Sequence, residues 1–136
     1  MIYRNLGNTG LKVSVLSFGN FTQSTETQEE NDKIIKICWD AGINFFDTAE
    51  SYFAGNSEIS LGNSIKSLGV PREDLVIATK LFIGKMAHTQ NAENVQGTSR
   101  KHLFEGLNGS LKRMDLDYVD ILSATVTTIT PLLLKL

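Results

Sequence analysis

Three polar side chains follow short apolar runs at a spacing that could assemble a proton-transfer site. Asp47 closes Ile43 to Asp47 (INFFD), Tyr52 stands five residues further on, and Lys80 follows Leu75 to Thr79 (LVIAT). A carboxylate, an ammonium and a phenol drawn together would make a proton donor. A free phenol has a pKa of about 10, too high for ready exchange near neutrality, and an ammonium within about 4 to 6 Å favours the phenolate. The carboxylate would hold the lysine and balance its charge. Such a phenol suits general-acid work on a carbonyl as hydride arrives. By spacing alone, the same residues also fit a turn-stabilising carboxylate, a half-buried loop aromatic and a solvated lysine.

The elements that would position them alternate along the chain. Met1 to Val13 has apolar residues around Asn8-Thr9-Gly10, which predicts a hairpin, because asparagine and glycine tolerate the positive φ of tight turns. Ser14 to Phe18 (SVLSF) reads as a brief strand stopped by Gly19, followed by a polar stretch from Asn20 to Glu26. Thr27-Gln28-Glu29-Glu30 is a capping box opening a helix, with Ile34, Ile37, Cys38 and Ala41 on its apolar face and Gly42 as its stop. Ile43 to Asp47 is the next strand. Ser57 caps a second helix with Leu61, Ile65 and Leu68 on one face, ended by Gly69 and Pro71. Leu75 to Thr79 reads as a strand buried on both faces. A polar loop leads to Ser99, which begins a helix striped by Leu103, Leu107, Leu111 and Met114, and Tyr118 to Leu122 (YVDIL) is the last strand.

A hairpin followed by βαβαβαβ implies a parallel α/β sheet with right-handed crossovers. Both a doubly wound sheet and part of a (β/α)8 barrel fit that order. The segment after the first buried strand, Gly19-Asn20-Phe21-Thr22-Gln23, holds one glycine, so the G-x-G-x-x-G dinucleotide fingerprint is absent. A closed barrel takes about 250 residues, and 136 residues supply four strand units. The expected fold is therefore the N-terminal half of a TIM barrel with an N-terminal hairpin, not closed. Residues 1–123 form this unit, and 124–136 stand apart as a tail. Net charge is −2 with 21% charged residues, which excludes an electrostatic nucleic-acid binder. No apolar run reaches the roughly 18 residues of a membrane span, and Met1 to Gly10 has no leader pattern, so a cytoplasmic protein is expected. Cys38, His88 and His102 lack the short ligand spacings of zinc sites, and no metal is expected.

Gly42 to Tyr52 (GINFFDTAESY), Glu58 to Gly69 (EISLGNSIKSLG), Leu75 to Lys80 (LVIATK) and Ser99 to Leu122 (SRKHLFEGLNGSLKRMDLDYVDIL) resemble the aldo-keto reductase family. Among its branches they are most similar to the cytosolic beta subunits of voltage-gated potassium channels, and the opening YRNLGNTGLKVSVLSFGNF fits that branch as well. The resemblance implies a (β/α)8 barrel capped below by the hairpin, extended NADPH, and reduction of small aldehydes or ketones. It makes Tyr52 the proton donor with Lys80 and Asp47 as its partners. Gly19, Asn20 and Phe21 take the place of a Gly-Thr-Trp that approaches the cofactor, and Asp47 borders the same cofactor site.

After Leu122 the family carries a fourth catalytic residue, usually His and in some channel subunits Asn, where this chain has Thr125. Ala124 to Leu136 (ATVTTITPLLLKL) follows neither strand nor helix spacing. Regrouping its codons one base earlier permits Cys-His-Arg, Asp-Asn-Asn and Thr-Pro-Ile, similar to the family's Cys-His-Arg-Pro-Asp-Pro-Asn-Thr-Pro-Ile. The tail thus reads as an out-of-frame ending. Three readings follow: a truncated NADPH-dependent carbonyl reductase inactive as this chain alone, a channel-associated subunit, and a remnant that pairs with intact homologous subunits.

Overall fold

The computed structural model describes residues 1–21, 27–82 and 94–124, so Thr125 and the rest of the tail lie outside the described residues. Strands β1 (Tyr3–Asn5) and β2 (Lys12–Ser14) pair antiparallel as the expected hairpin. Gly10 takes a φ of +76° in its turn, where a side chain would be strained. The brief strand expected over Ser14 to Phe18 is shorter and later: Ser14 ends β2, and β3 is Phe18–Gly19. Ser14 explains the change. Its amide donates to Asn44 Oδ1 at 2.8 Å and its hydroxyl to the Leu16 carbonyl at 2.6 Å, which bends the chain before the sheet begins.

Helix α1 (Gln28–Asp40) starts at the capping box: Thr27 Oγ1 accepts from the Glu30 amide, and Glu30 Oε2 accepts from the Thr27 amide at 2.7 Å. Its inward face differs from the apolar count. Asn31 and Ile35 are fully buried, whereas Ile37 is 67% exposed. The helix is rotated by a polar seam with α2 (Asn56–Leu68), in which Asn31 Nδ2 donates to Ser60 Oγ and Ser64 Oγ, each at 2.9 Å. Apolar periodicity cannot see an asparagine that faces inward. Strand β4 (Phe45–Asp47) follows, and α2 then begins at Asn56 behind a 3-10 turn over Tyr52–Gly55, so Ser57 lies buried inside the helix and is not its cap.

Strand β5 (Val76–Leu81), helix α3 (Arg100–Met114) and strand β6 (Ile121–Ala124) complete the order. Ser99 caps α3 through the His102 amide at 3.1 Å, as its position predicts. Strand β6 begins after Tyr118, whose ring instead lies under the Arg72 guanidinium at 4.0 Å. The sheet order is β3-β4-β5-β6, all parallel, with Phe46 opposite Ile77 and Thr79 opposite Leu122. The core between the sheet and the helices is Ile35, Phe46, Leu61, Ile65, Leu75, Ile77 and Met114. Helices α2 and α3 meet closely at Gly62, where a Cβ would run into the Met114 backbone. Among the described residues β3 and β6 remain edges, which is half of a (β/α)8 barrel, unclosed.

Candidate active site

Parallel pairing sets the C-terminal ends of β3, β4 and β5 side by side, with Gly19 opposite Asp47 and Asp47 opposite Ala78. Lys80 is two residues past Ala78, so its side chain leaves the same face of the strand. Its ammonium pairs with the Asp47 carboxylate and donates to the Thr48 carbonyl at 2.9 Å. The same nitrogen lies 5.0 Å from the centroid of the Tyr52 ring. The structure therefore brings together all three residues that spacing nominated. Lys80 and Asp47 are each about a quarter exposed, shielded enough to strengthen the pair yet open to the strand-end face.

Tyr52 is aimed by an unusual stretch of backbone. Phe53 and Ala54 have φ of 49° and 56°, left-handed values that L side chains resist, and Gly55 follows at 91°. Phe21 is 58% exposed and sets its ring edge-on to Tyr52, with centroids 4.7 Å apart. Gly19 is exposed, and a Cβ built on it meets nothing within 4 Å among the described residues. Asn20 behaves differently from its neighbours. Fully buried, it donates its backbone amide to the Asp47 carbonyl at 2.7 Å and its side-chain Nδ2 to the Ser57 carbonyl at 2.8 Å, while Oδ1 has no hydrogen-bond partner among the described residues. Gly19 and Phe21 thus share the open face with Asp47, Tyr52 and Lys80, while the Asn20 side chain reaches inward to α2.

The aldo/keto reductase family model matches residues 15–128. The chain belongs to the aldo/keto reductase family. It is 46% identical over 124 residues to a probable voltage-gated potassium channel subunit beta of Oryza sativa subsp. japonica, covering 89% of this chain and 36% of that protein. The corresponding protein of Arabidopsis thaliana is 47% identical over 125 residues, covering 90% of this chain and 36% of the relative. The chain thus spans about a third of the curated relatives it matches. A thermostable aldo-keto reductase solved with the inhibitor epalrestat superposes with a TM-score of 0.70 at 31% identity, covering 90% of this chain and 42% of that one.

In this member of the aldo/keto reductase family a second group of residues, which spacing did not nominate, secures the start of α2 behind Tyr52. Glu58 is fully buried and accepts from the Thr79 hydroxyl and from Arg113 Nε, each at 2.6 Å. The Arg113 stem crosses Gly55, where a Cβ would stand 2.7 Å from Arg113 Cδ, so that turn needs glycine for space as well as for its φ. Glu58 therefore ties α2 to α3 and to the residue beside Lys80. One signal was available: Glu58 falls on the stripe of Leu61 and Ile65, and a carboxylate on an apolar stripe needs a buried partner.

Proposed function

We propose that this chain supplies the proton-donating side of an NADPH-dependent carbonyl reductase acting on small aldehydes or ketones, with Tyr52 as proton donor. The observation carrying this reading is the Lys80 ammonium lying against Asp47 and beside the Tyr52 ring at once. As negative charge develops on a substrate oxygen, the Tyr52 hydroxyl gives it a proton. Lys80 sets a positive charge beside the ring left as phenolate. Asp47 restrains the ammonium and balances it. Gly19, Asn20, Phe21 and Asp47 would border NADPH, which supplies hydride when bound. Gly19 supports this, because nothing among the described residues fills the space a side chain would take there.

We further read the 136-residue chain as inactive alone. Hydride transfer needs reacting atoms held about 3 to 3.5 Å apart, and the exposed Phe21 face awaits a covering surface from the remainder of a family-length barrel. Thr125, at the fourth catalytic position, offers neither a ring nitrogen nor an amide donor. Residues 124–136 are proposed to be an out-of-frame ending, which transcript sequencing across those codons tests directly. NADPH absorbance with an aldehyde probe tests the activity: the chain alone should give no turnover, and a frame-restored family-length version should turn over until Tyr52→Phe removes it. Full turnover in Tyr52→Phe would overturn the role given to Tyr52.

Identity to two proteins named as probable channel beta subunits favours a second reading, a cytoplasmic partner of a voltage-gated potassium channel. No helix among the described residues is long and apolar enough to cross a membrane. Copurification with a channel tests that reading. Capture of intact homologous subunits by the tagged chain, without a channel, would favour an interfering remnant.

A further inference from the structure

Glu50 and His102 are both buried, 2% and 3% exposed, and neither enters the proton-donating arrangement above. Glu50 lies between Asp47 and Tyr52 in the loop leaving β4. Its amide donates to the Lys80 carbonyl at 3.2 Å, and its Oε1 accepts from the Phe82 amide at 2.9 Å. One residue thus bonds to the backbone on both sides of Leu81, at Lys80 in β5 and at Phe82 just past it, and its carboxylate takes the place of a strand carbonyl that would continue the parallel ladder. The same Oε1 is 3.0 Å from His102 Nε2 in the first turn of α3. With the carboxylate ionised, Nε2 must carry the hydrogen. Gly106 makes room: a Cβ there would stand 3.2 Å from Glu50 Oε2 and 3.3 Å from His102 Cε1.

We propose that Glu50 and His102 form a buried positioning pair that holds the Tyr52 loop in fixed relation to Lys80. Burying a carboxylate is costly unless hydrogen bonds replace its water. Here the bonds that replace it span the elements carrying Asp47, Tyr52 and Lys80, so the geometry of the proton donor is set by a group outside it. Thr48 ties the start of the loop to β5 through the Ala78 carbonyl, and the Glu50 carboxylate extends that hold past Leu81 to Phe82 and α3. The proposal's relevance to catalysis rests on the reductase reading, but its test needs neither cofactor nor substrate.

Amide hydrogen exchange on the 136-residue chain, compared with Glu50→Ala, Glu50→Gln and His102→Gln, supplies that test. Glu50→Ala should lose protection at the Phe82 and residue-50 amides by about tenfold or more, while Ile35 in the α1–α2 seam keeps its protection. Glu50→Gln retains an acceptor for Phe82 and should restore most of it. The His102 Nε2–H proton should be slowly exchanging in the wild type and lost in Glu50→Ala. Unchanged protection at Phe82 in Glu50→Ala, or uniform loss throughout the chain in both Glu50 variants, overturns the proposal. Reductase assays of the family-length version then judge the functional reading separately: local loosening with no reductase activity in the parent leaves the pair standing and removes the reaction.

Discussion

The two ends of the parallel sheet each carry a cation paired with an aspartate, and they use it differently. At the N-terminal end, Arg72 donates to Asp120 Oδ2 at 2.7 Å, to the Leu75 carbonyl at 2.9 Å and to the Tyr118 carbonyl at 3.1 Å. Asp120 Oδ2 also accepts from the Ile77 amide at 2.8 Å. The hydrogen-bond partners named there are backbone groups and the other ion, and the face of the guanidinium lies over the Tyr118 ring at 4.0 Å, so the pair closes the base of β5 and β6. At the C-terminal end, Lys80 meets Asp47 and one carbonyl, and then faces the ring of Tyr52. Both cations lie over a tyrosine ring, but the lower guanidinium is planar and spends its fork on the main chain and Asp120, whereas the upper ammonium is a point charge beside Tyr52 on the open strand-end face. The contrast fits the division of labour in barrels, with stability below and, as proposed, chemistry above.

Substitutions at the two ends should separate cleanly. The largest effect belongs to the upper end: in the frame-restored family-length version, Tyr52→Phe should lower kcat by roughly 10² to 10⁴, with a urea midpoint close to the parent's. At the lower end, Asp120→Ala leaves a guanidinium and the Ile77 amide without their acceptor, and should cost about 2 to 3 kcal/mol in urea unfolding. Asp47→Asn, in a more open pair, should cost no more than about 1 kcal/mol by the same measurement. If the Asp47 substitution proves the more destabilising, the assignment of stability to the lower end fails.

A site remote from both ends calibrates these values. Thr27→Ala removes the α1 cap and should cost about 1 kcal/mol, read from thermal unfolding monitored at the helix signal. Smaller still is the effect of Asp32 in the α1–α2 seam. Burial pushes its carboxyl up, but hydrogen bonds from Ser64, Gln28 and Ser67 outweigh this and hold it below its ordinary value of 3.8. The folded state therefore binds this proton less readily than the unfolded chain. Its contribution is full above the ordinary value and fades as pH falls through the lowered one. Ser64→Ala should lower stability near neutrality, where the Asp32 contribution is full, and the deficit should shrink as pH falls through that acid range, measured by urea unfolding across the series.

Legibility followed the range of the interactions. The hairpin, the capping box at Thr27, the Ser99 cap and the glycine stops at Gly42 and Gly69 were readable because each is settled within a few residues. The strand ends bearing Asp47 and Lys80 were readable because apolar runs have edges. Ile37 was placed inward and Ile35 overlooked, since the rotation of α1 depends on Asn31 meeting α2 some 29 residues away. Ser57 looked like a cap because no local feature announces the turn over Tyr52–Gly55, against which the Arg113 stem from α3 packs at Gly55.

What the sequence by itself determined was the order of elements, their local caps and the three chemical groups at the strand ends, all of which follow from short-range sterics, hydrogen bonding and apolar periodicity. What only the tertiary structure decided was which buried polar groups find one another. Glu58 meets Arg113 across 55 positions and Glu50 meets His102 across 52, and both pairings exist because parallel strands and covering helices return distant segments to the same height. A buried carboxylate announces that it needs a partner, but the partner is chosen by the packing that leaves it nowhere else to bond.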